Sequence, residues 1–290
     1  MKRALFSLLV LLAVAASGCN ENLSVVAPGA QIQKLASGFD FTEGPVADAH
    51  GNVFFTDIPN SRIHKWSPDG KVSIFVDRTG EANGLYFDAK GNLLACQGGA
   101  RKLVSIDASG KVTTLADKYD GKKLNSPNDL WLDPKDGIYF TDPRYGRRDN
   151  LEQDGEHVYY LSPDRKKVIR VADDMVRPNG IIGTPDGKKL YIADLGAGRT
   201  YVYKINADAT LSEKKLFAPE GSDGMTIDNE ANVYFTTDAV KVYDSKGNRK
   251  EIIDIPERPA NVTFGGKDKH TLFVTARTSL YSIKMRTKGL

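Results

Sequence analysis

Short apolar runs recur along the chain between polar stretches rich in Gly, Asn and Asp. The first is Val53-Phe54-Phe55-Thr56, entered from Gly51-Asn52. It returns as Leu93-Leu94-Ala95-Cys96 after Gly91-Asn92, and as Ile138-Tyr139-Phe140-Thr141 after Asp136-Gly137. Leu190-Tyr191-Ile192-Ala193, Val233-Tyr234-Phe235-Thr236 and Leu272-Phe273-Val274-Thr275 complete six copies. Runs this short, rich in β-branched and aromatic residues and bounded by turn formers, predict strands rather than helices. The interval of about 40 to 50 residues is that of propeller blades, one four-stranded sheet per repeat.

The first copy shows the pattern within a blade. Val46 to Asp48 is a first strand (A), Val53 to Thr56 a second (B), Ile63 to Trp66 a third (C) and Val72 to Val76 a fourth (D). Ser67-Pro68-Asp69-Gly70 places proline and glycine where a tight reversal needs them. The sixth copy reaches the C-terminus about one strand short, and an array of sheets must close to hide its edges. Gln31 to Ala36 is the natural missing strand. The expectation is an all-β, six-bladed β-propeller over residues 31–290, with an N-terminal strand closing the last blade.

Residues preceding the first strand of each copy fall at one phase: Glu43, Asn83, Asn128, Asn179, Asp223 and Asn261. Each stands 13 or 14 residues before the small residue that ends strand B. Taken singly, Asn-Gly and Asp-Gly are turn dipeptides. Six at one phase, related by rotation, predict a ring of side-chain oxygens at the mouth of the central channel. Two carboxylates and neutral amides suit one hard divalent cation. Ca²⁺ fits such convergent loops better than the more hydrated Mg²⁺. His50, His64, His157 and His270 all miss this phase, which disfavours a zinc site built from imidazoles.

Strand alternation places the connections from D to A and from B to C on one face. The third such B-to-C loop, from Asp142 to Glu156, is long and charged, a candidate lid carrying Arg144 and Tyr145. Asp57, Asp142 and Asp194 end B strands on that face, as turn caps. No Gly-x-Ser-x-Gly elbow supports a serine nucleophile, and no glycine-rich phosphate loop follows a strand.

The formal charge of +3 includes Lys2 and Arg3, which precede an apolar run, Ala4 to Ala16, too short to span a bilayer. The pattern predicts a signal peptide over residues 1–18. Ala16-Ser17-Gly18-Cys19 resembles the lipobox of bacterial lipoproteins, with alanine at Ala16 where leucine is usual. Lipidation of Cys19, a tether over residues 19–30, export from a bacterial cytoplasm and a periplasmic, lipid-anchored location follow as expectations. The mature chain is close to neutral with no basic stripe, so nucleic acid is not a partner. Cys96, the other cysteine, sits where a small core residue belongs, and one thiol offers no internal disulfide.

Thr42-Glu43-Gly44-Pro45, Ser126-Pro127-Asn128-Asp129-Leu130, Arg177-Pro178-Asn179-Gly180, Gly221-Ser222-Asp223-Gly224-Met225 and Pro259-Ala260-Asn261-Val262-Thr263-Phe264-Gly265-Gly266 together resemble the senescence marker protein/gluconolactonase/luciferin-regenerating enzyme family, the regucalcin-like proteins. The resemblance runs from about Gln31 to the C-terminus. It implies a six-bladed propeller with one catalytic divalent ion, usually calcium, sometimes zinc or another ion. Residue by residue, it implies that Glu43, Asn128, Asn179 and Asp223 hold the metal. Asn83 and Asn261 share the ring phase without being general family ligands and are expected either to support the ligands from behind or to face the substrate, as Asp129, Arg144 and Tyr145 are. Animal members carry a sugar-binding arginine where this chain has Ser126. The implied reaction is hydrolysis of a lactone, most simply a sugar lactone such as gluconolactone, with Asp223 as base and Asn128 beside it as a catalytic residue. Two alternatives keep the fold: a phosphotriesterase or arylesterase on the same site, and a non-catalytic exported ligand-binding propeller. Condensation of the strictosidine-synthase type is disfavoured by the complete metal ring.

Overall fold

The computed structural model describes residues 23–290, so the signal segment 1–18 and Cys19 lie outside the described residues. Six four-stranded antiparallel sheets stand around an axis. Blade 1 runs through Thr42–Ala47, Val53–Asp57, Arg62–Trp66 and Val72–Asp77 from the axis outward. The innermost strands of blades 2 to 5 are Ala82–Phe87, Leu130–Leu132, Pro178–Gly183 and Met225–Ile227. The second strands fall on the apolar runs that define the repeat, as at Leu93–Gln97 and Ile138–Asp142. Apart from Lys189 at the start of the fourth blade's second strand, they are buried along their whole length, because each blade is covered on both faces by its neighbours.

The core therefore lies between blades. Trp131, Tyr139 and Tyr160 of blade 3 pack with Ile181, Leu190 and Ile192 of blade 4. Val46 and Phe54 of blade 1 pack with Leu85 and Leu93 of blade 2. Cys96 is a free, fully buried member of this wall between blades 2 and 3. Burial pushes its thiol well above the ordinary range, away from the reactive thiolate.

The recurring Asp, Gly and Asn of the turns between the first two strands have a local cause. Asp48 accepts from the backbone of His50 and Asn52, and from the Asn52 amide at 2.7 Å. Asp88 with Asn92 and Asp228 with Asn232 repeat the device. Each side chain replaces backbone partners that a tight turn would leave unmet.

Closure is by the strand Gln33–Ser37, which pairs antiparallel with Ser279–Lys284 outside Thr271–Ala276 and Pro259–Gly265. Glu257 ties this sheet together. It accepts from Ser279 Oγ at 2.6 Å, Tyr281 Oη at 2.8 Å, the Thr278 backbone at 3.0 Å and Lys34 Nζ at 3.1 Å. Burial raises the Glu257 carboxyl, but these hydrogen bonds outweigh it and hold it at about 2. The expected tether over 19–30 is corrected for its described part. Leu23 is exposed, but the segment docks at Val25, which is fully buried in the core between the fifth and sixth blades and whose carbonyl accepts from the Arg286 backbone amide at 2.8 Å.

Three aspartates brace the connectors that enter the inner strands. Asp57 accepts from the backbone of Asp40 at 3.2 Å and Phe41 at 3.1 Å. Asp142 accepts from Asn125 and Ser126, both at 2.7 Å, and Asp194 from Val176 and Arg177, both at 2.9 Å. Each brace fixes the chain two or three residues ahead of Glu43, Asn128 or Asn179.

Candidate active site

The six ring residues sit on the innermost strands or at their entrances, opposite the residues that end the second strands. Glu43 pairs with Thr56 and Asn261 with Thr275. The Asn128 and Asp223 amides donate to the carbonyls of Thr141 and Thr236. The register shifts at Glu43/Val46, Ala82/Leu85, Pro178/Ile181 and Pro259/Asn261. Such irregularities bend a strand and re-aim its side chains. In blade 1 the strand begins four residues ahead of its expected start at Val46, so Glu43 lies within it.

The small residue after a ring position is required by the next blade rather than by a turn. A Cβ on Gly224 would stand 2.0 Å from the Asn261 side chain, and one on Gly84 would stand 2.5 Å from Asp129 Oδ1. Neighbouring blades are also joined at this level. Thr236 Oγ1 donates to the Ala260 carbonyl at 2.6 Å, and the Gly84 amide to the Asn128 carbonyl at 2.8 Å. These threonines were legible only as small residues; their stapling hydroxyls were not.

One cavity of about 300 Å³ opens at this ring, and Glu43, Asn83, Asn128, Asn179, Asp223 and Tyr145 all line it. Glu43, Asn128 and Asn179 are buried, while Asp223 is partly open to the cavity. The Asn179 amide nitrogen donates to Asp223 Oδ1 and to Tyr145 Oη, both at 2.7 Å. The Glu43 carboxylate takes the Gly44 amide at 2.9 Å on one oxygen. Asn261 adds a weaker interaction with the Glu43 carboxylate, and no hydrogen bond from the described residues reaches Asp223 Oδ2. Burial and the nearby charge of Asp223 push Glu43 well above the usual carboxylate range. Burial likewise pushes Asp223 up to about 6, against the Asn179 hydrogen bond and the more distant Arg258 and Arg277.

The other expected residues are placed differently. Arg144 does not line the cavity. Its guanidinium donates to the carbonyls of Arg147 and Asn125 at 2.7 Å and to Asn150, so it folds the lid loop on itself. Tyr145, on the same loop, reaches the cavity with Arg177 stacked 5.2 Å over its ring. The base of that loop rests on a two-stranded hairpin, Lys118–Tyr119 with Lys122–Lys123, through Gln153 and Glu152. Asp129 and Asn261 line a narrower space of about 50 Å³. Asp129 follows Asn128 along the chain, and alternation sends the two side chains in opposite directions. Burial pushes Asp129 up to about 7, with the Leu130 amide and Asn261 acting against it. Asn261 acts on Glu43 in the same sense, so it supports the ring carboxylate from behind.

Among the described residues, no group of three or more His, Cys, Asp or Glu side chains could hold a metal ion. The fit of a cation here rests on two carboxylates and two amides. Neither Glu43 nor Asp223 has an ion-pair partner within the described residues, and two buried carboxylates without a counter-charge are costly. A divalent ion would supply that charge, and the all-oxygen donor set matches a hard one. Asn179 would first have to turn its amide over, since its nitrogen now faces Asp223.

The family described as SMP-30/Gluconolactonase/LRE-like region matches residues 41–278. The chain belongs to this family. Among its curated relatives is a gluconolactonase from Zymomonas mobilis, 29% identical over 294 residues, covering 89% of this chain and 82% of that one. The solved structure of a gluconolactonase from Xanthomonas campestris is 30% identical with a TM-score of 0.85, covering 90% of this chain and 91% of that chain. A regucalcin from Agrobacterium tumefaciens is 20% identical with a TM-score of 0.77, covering 89% and 94%, and shares the fold. The matched SMP-30/gluconolactonase/LRE-like region contains the whole ring from Glu43 to Asn261.

Proposed function

We propose that this protein is a metal-dependent lactonase acting on a sugar lactone such as gluconolactone. The observation that carries the reading is the convergence of Glu43, Asn128, Asn179 and Asp223 on one cavity in a chain whose relatives include gluconolactonases. Glu43, Asn128, Asn179 and Asp223 would hold one divalent cation, Ca²⁺ by its oxygen donors, with Zn²⁺ or Mg²⁺ as alternatives. When bound, such an ion supplies Lewis-acid polarisation of the ester carbonyl.

The chain's own residues do the rest. Asp223 Oδ2, free and open to the cavity, accepts a proton from water as the water oxygen bonds to the carbonyl carbon. The ring C–O bond then breaks, and the same proton passes to the departing ring oxygen, giving the open hydroxy acid. Glu43 is buried and balances charge as a ligand only. Asn128, whose side chain bonds to no other described residue, orients the substrate at the ring. Tyr145 lines the cavity beside Asn179 and brings a hydroxyl to the substrate side of the ring. Export through residues 1–18, with a lipid on Cys19 in the periplasm, belongs to the same proposal.

The test is hydrolysis of D-glucono-1,5-lactone by protein stripped of metal and reconstituted with each ion in turn, beside a phosphotriester and an aryl ester. Metal-restored turnover of the lactone is expected. Turnover of the phosphotriester or aryl ester alone would move the substrate class, and no turnover of any would leave a binding protein.

A further inference from the structure

We infer that Glu81 is a specificity-determining residue for this site, recognising the hydroxyl groups of a polyhydroxylated lactone. The inference rests on the lactonase reading for its substrate. Residues two positions ahead of the ring form part of the cavity rim: Phe41, Glu81 and Ser126 all line it. Glu81 alone of these is charged. Blade 2 is also the place where the bracing pattern changes, since Gln97 stands where the neighbouring blades 1 and 3 have Asp57 and Asp142.

Backbone contacts hold Glu81 in place. Its φ of 55° is in the left-handed region, an arrangement costing about 1 kcal/mol or more in a residue with a side chain. Its amide donates to Ser61 Oγ at 2.9 Å, and its carbonyl accepts from the Gly98 amide at 3.0 Å. The side chain then lies across Gly99, where an added Cβ would stand 2.6 Å from Glu81 Oε2. Gly98 and Ser126 keep the adjoining wall low, with Ser126 Oγ donating to the Gly98 carbonyl at 3.1 Å. No hydrogen bond or ion pair from the described residues reaches the Glu81 carboxylate.

A carboxylate only accepts, and it can take two donors side by side. Vicinal hydroxyls of a sugar lactone present two such donors, and bonds to a charged acceptor are shorter and stronger than neutral ones. A lactone without hydroxyls leaves Glu81 in water and gains nothing from it. Glu81 therefore separates hydroxylated from plain lactones while the ring below performs the same chemistry on both.

The experiment compares wild type, Glu81→Ala and Glu81→Gln on D-glucono-1,5-lactone and on unsubstituted δ-valerolactone. It adds a calorimetric titration with 1,5-anhydro-D-glucitol, a cyclic polyol without the carbonyl. Glu81→Ala should lower kcat/KM on the gluconolactone about 10- to 100-fold, mostly through KM, as for one or two hydrogen bonds to a charged group. Valerolactone turnover should stay within about twofold, and Glu81→Gln should fall between. Equal losses on both lactones, or no loss on either, would overturn the assignment. If wild type hydrolyses neither lactone, the lactonase reading fails on its own, and the titration decides Glu81. Tighter polyol binding by wild type than by Glu81→Ala then supports the residue's role, and equal or absent binding removes it.

Discussion

Asp57, Asp142 and Asp194 on one side, Glu43 and Asp223 on the other, are buried or nearly buried carboxylates on neighbouring strands of the same face. The first three each accept two backbone N–H groups from the connector ahead of an inner strand. Glu43 and Asp223 receive one close hydrogen bond from the protein apiece, with Asn261 adding a weaker pull on Glu43, and Asp223 keeps an oxygen free. A saturated carboxylate is a strut; one left wanting is available to a ligand. Charge and burial are shared by the two sets, and only the count of donors separates them. The struts also stand beneath three of the four expected ligands, so the rigid set aims the reactive one.

The sharpest break between the sets is Asp223→Ala. It should lower kcat at least about 100-fold, as for loss of a general base, weaken metal binding and leave thermal unfolding little changed. Retained turnover would remove Asp223 from the chemistry. Asp142→Ala should do the reverse. It leaves the Asn125 and Ser126 amides without their acceptor, a loss of about 2–4 kcal/mol. Denaturant unfolding reads this, and a variant as stable as wild type would mean that the brace is idle. Gly224→Ala falls between the two. Its methyl meets Asn261 at the ring, so a destabilisation of about 1–3 kcal/mol should accompany reduced activity.

The smallest effect tests a strut far from the ring. Glu257 has a folded-state carboxyl held at about 2, below the ordinary 4.5. Its contribution is therefore complete above about pH 4.5 and is lost as pH falls through 2. Glu257→Gln should cost about 1 kcal/mol at neutral pH and flatten the acid limb of the stability profile. An unchanged acid limb would deny the linkage.

The blades were legible because one glycine, asparagine and apolar sequence recurs, and the turn chemistry of Asp48 with Asn52 explains why it must. The ring was legible through phase, which placed Glu43, Asn128, Asn179 and Asp223 on one cavity. Phase alone could not distinguish Asn261 from Asn83, since the register shift in each strand decides where its side chain points. Arg144 looked like a substrate contact because it is charged and on a long loop. The carbonyls of Asn125 and Arg147 that claim it are set by tertiary folding. Glu81 carried no motif at all, and its place follows from the Gly98-Gly99 gap across a blade junction. The polar surroundings of Val25 predict a tether, because its partners, in the last two blades, are the farthest from it in sequence.

That the sheet holding Gln33–Ser37 also holds Ser279–Lys284 sets an order on how the molecule is made. The first strand among the described residues has no partner until Ser279–Lys284 is synthesised. Until then five blades stand as an open arc with two bare edges, the condition under which β-rich chains pair with strangers. Completion of the circle thus waits for Ser279–Lys284, and a chain cut short before Ser279 lacks the partner that shuts it.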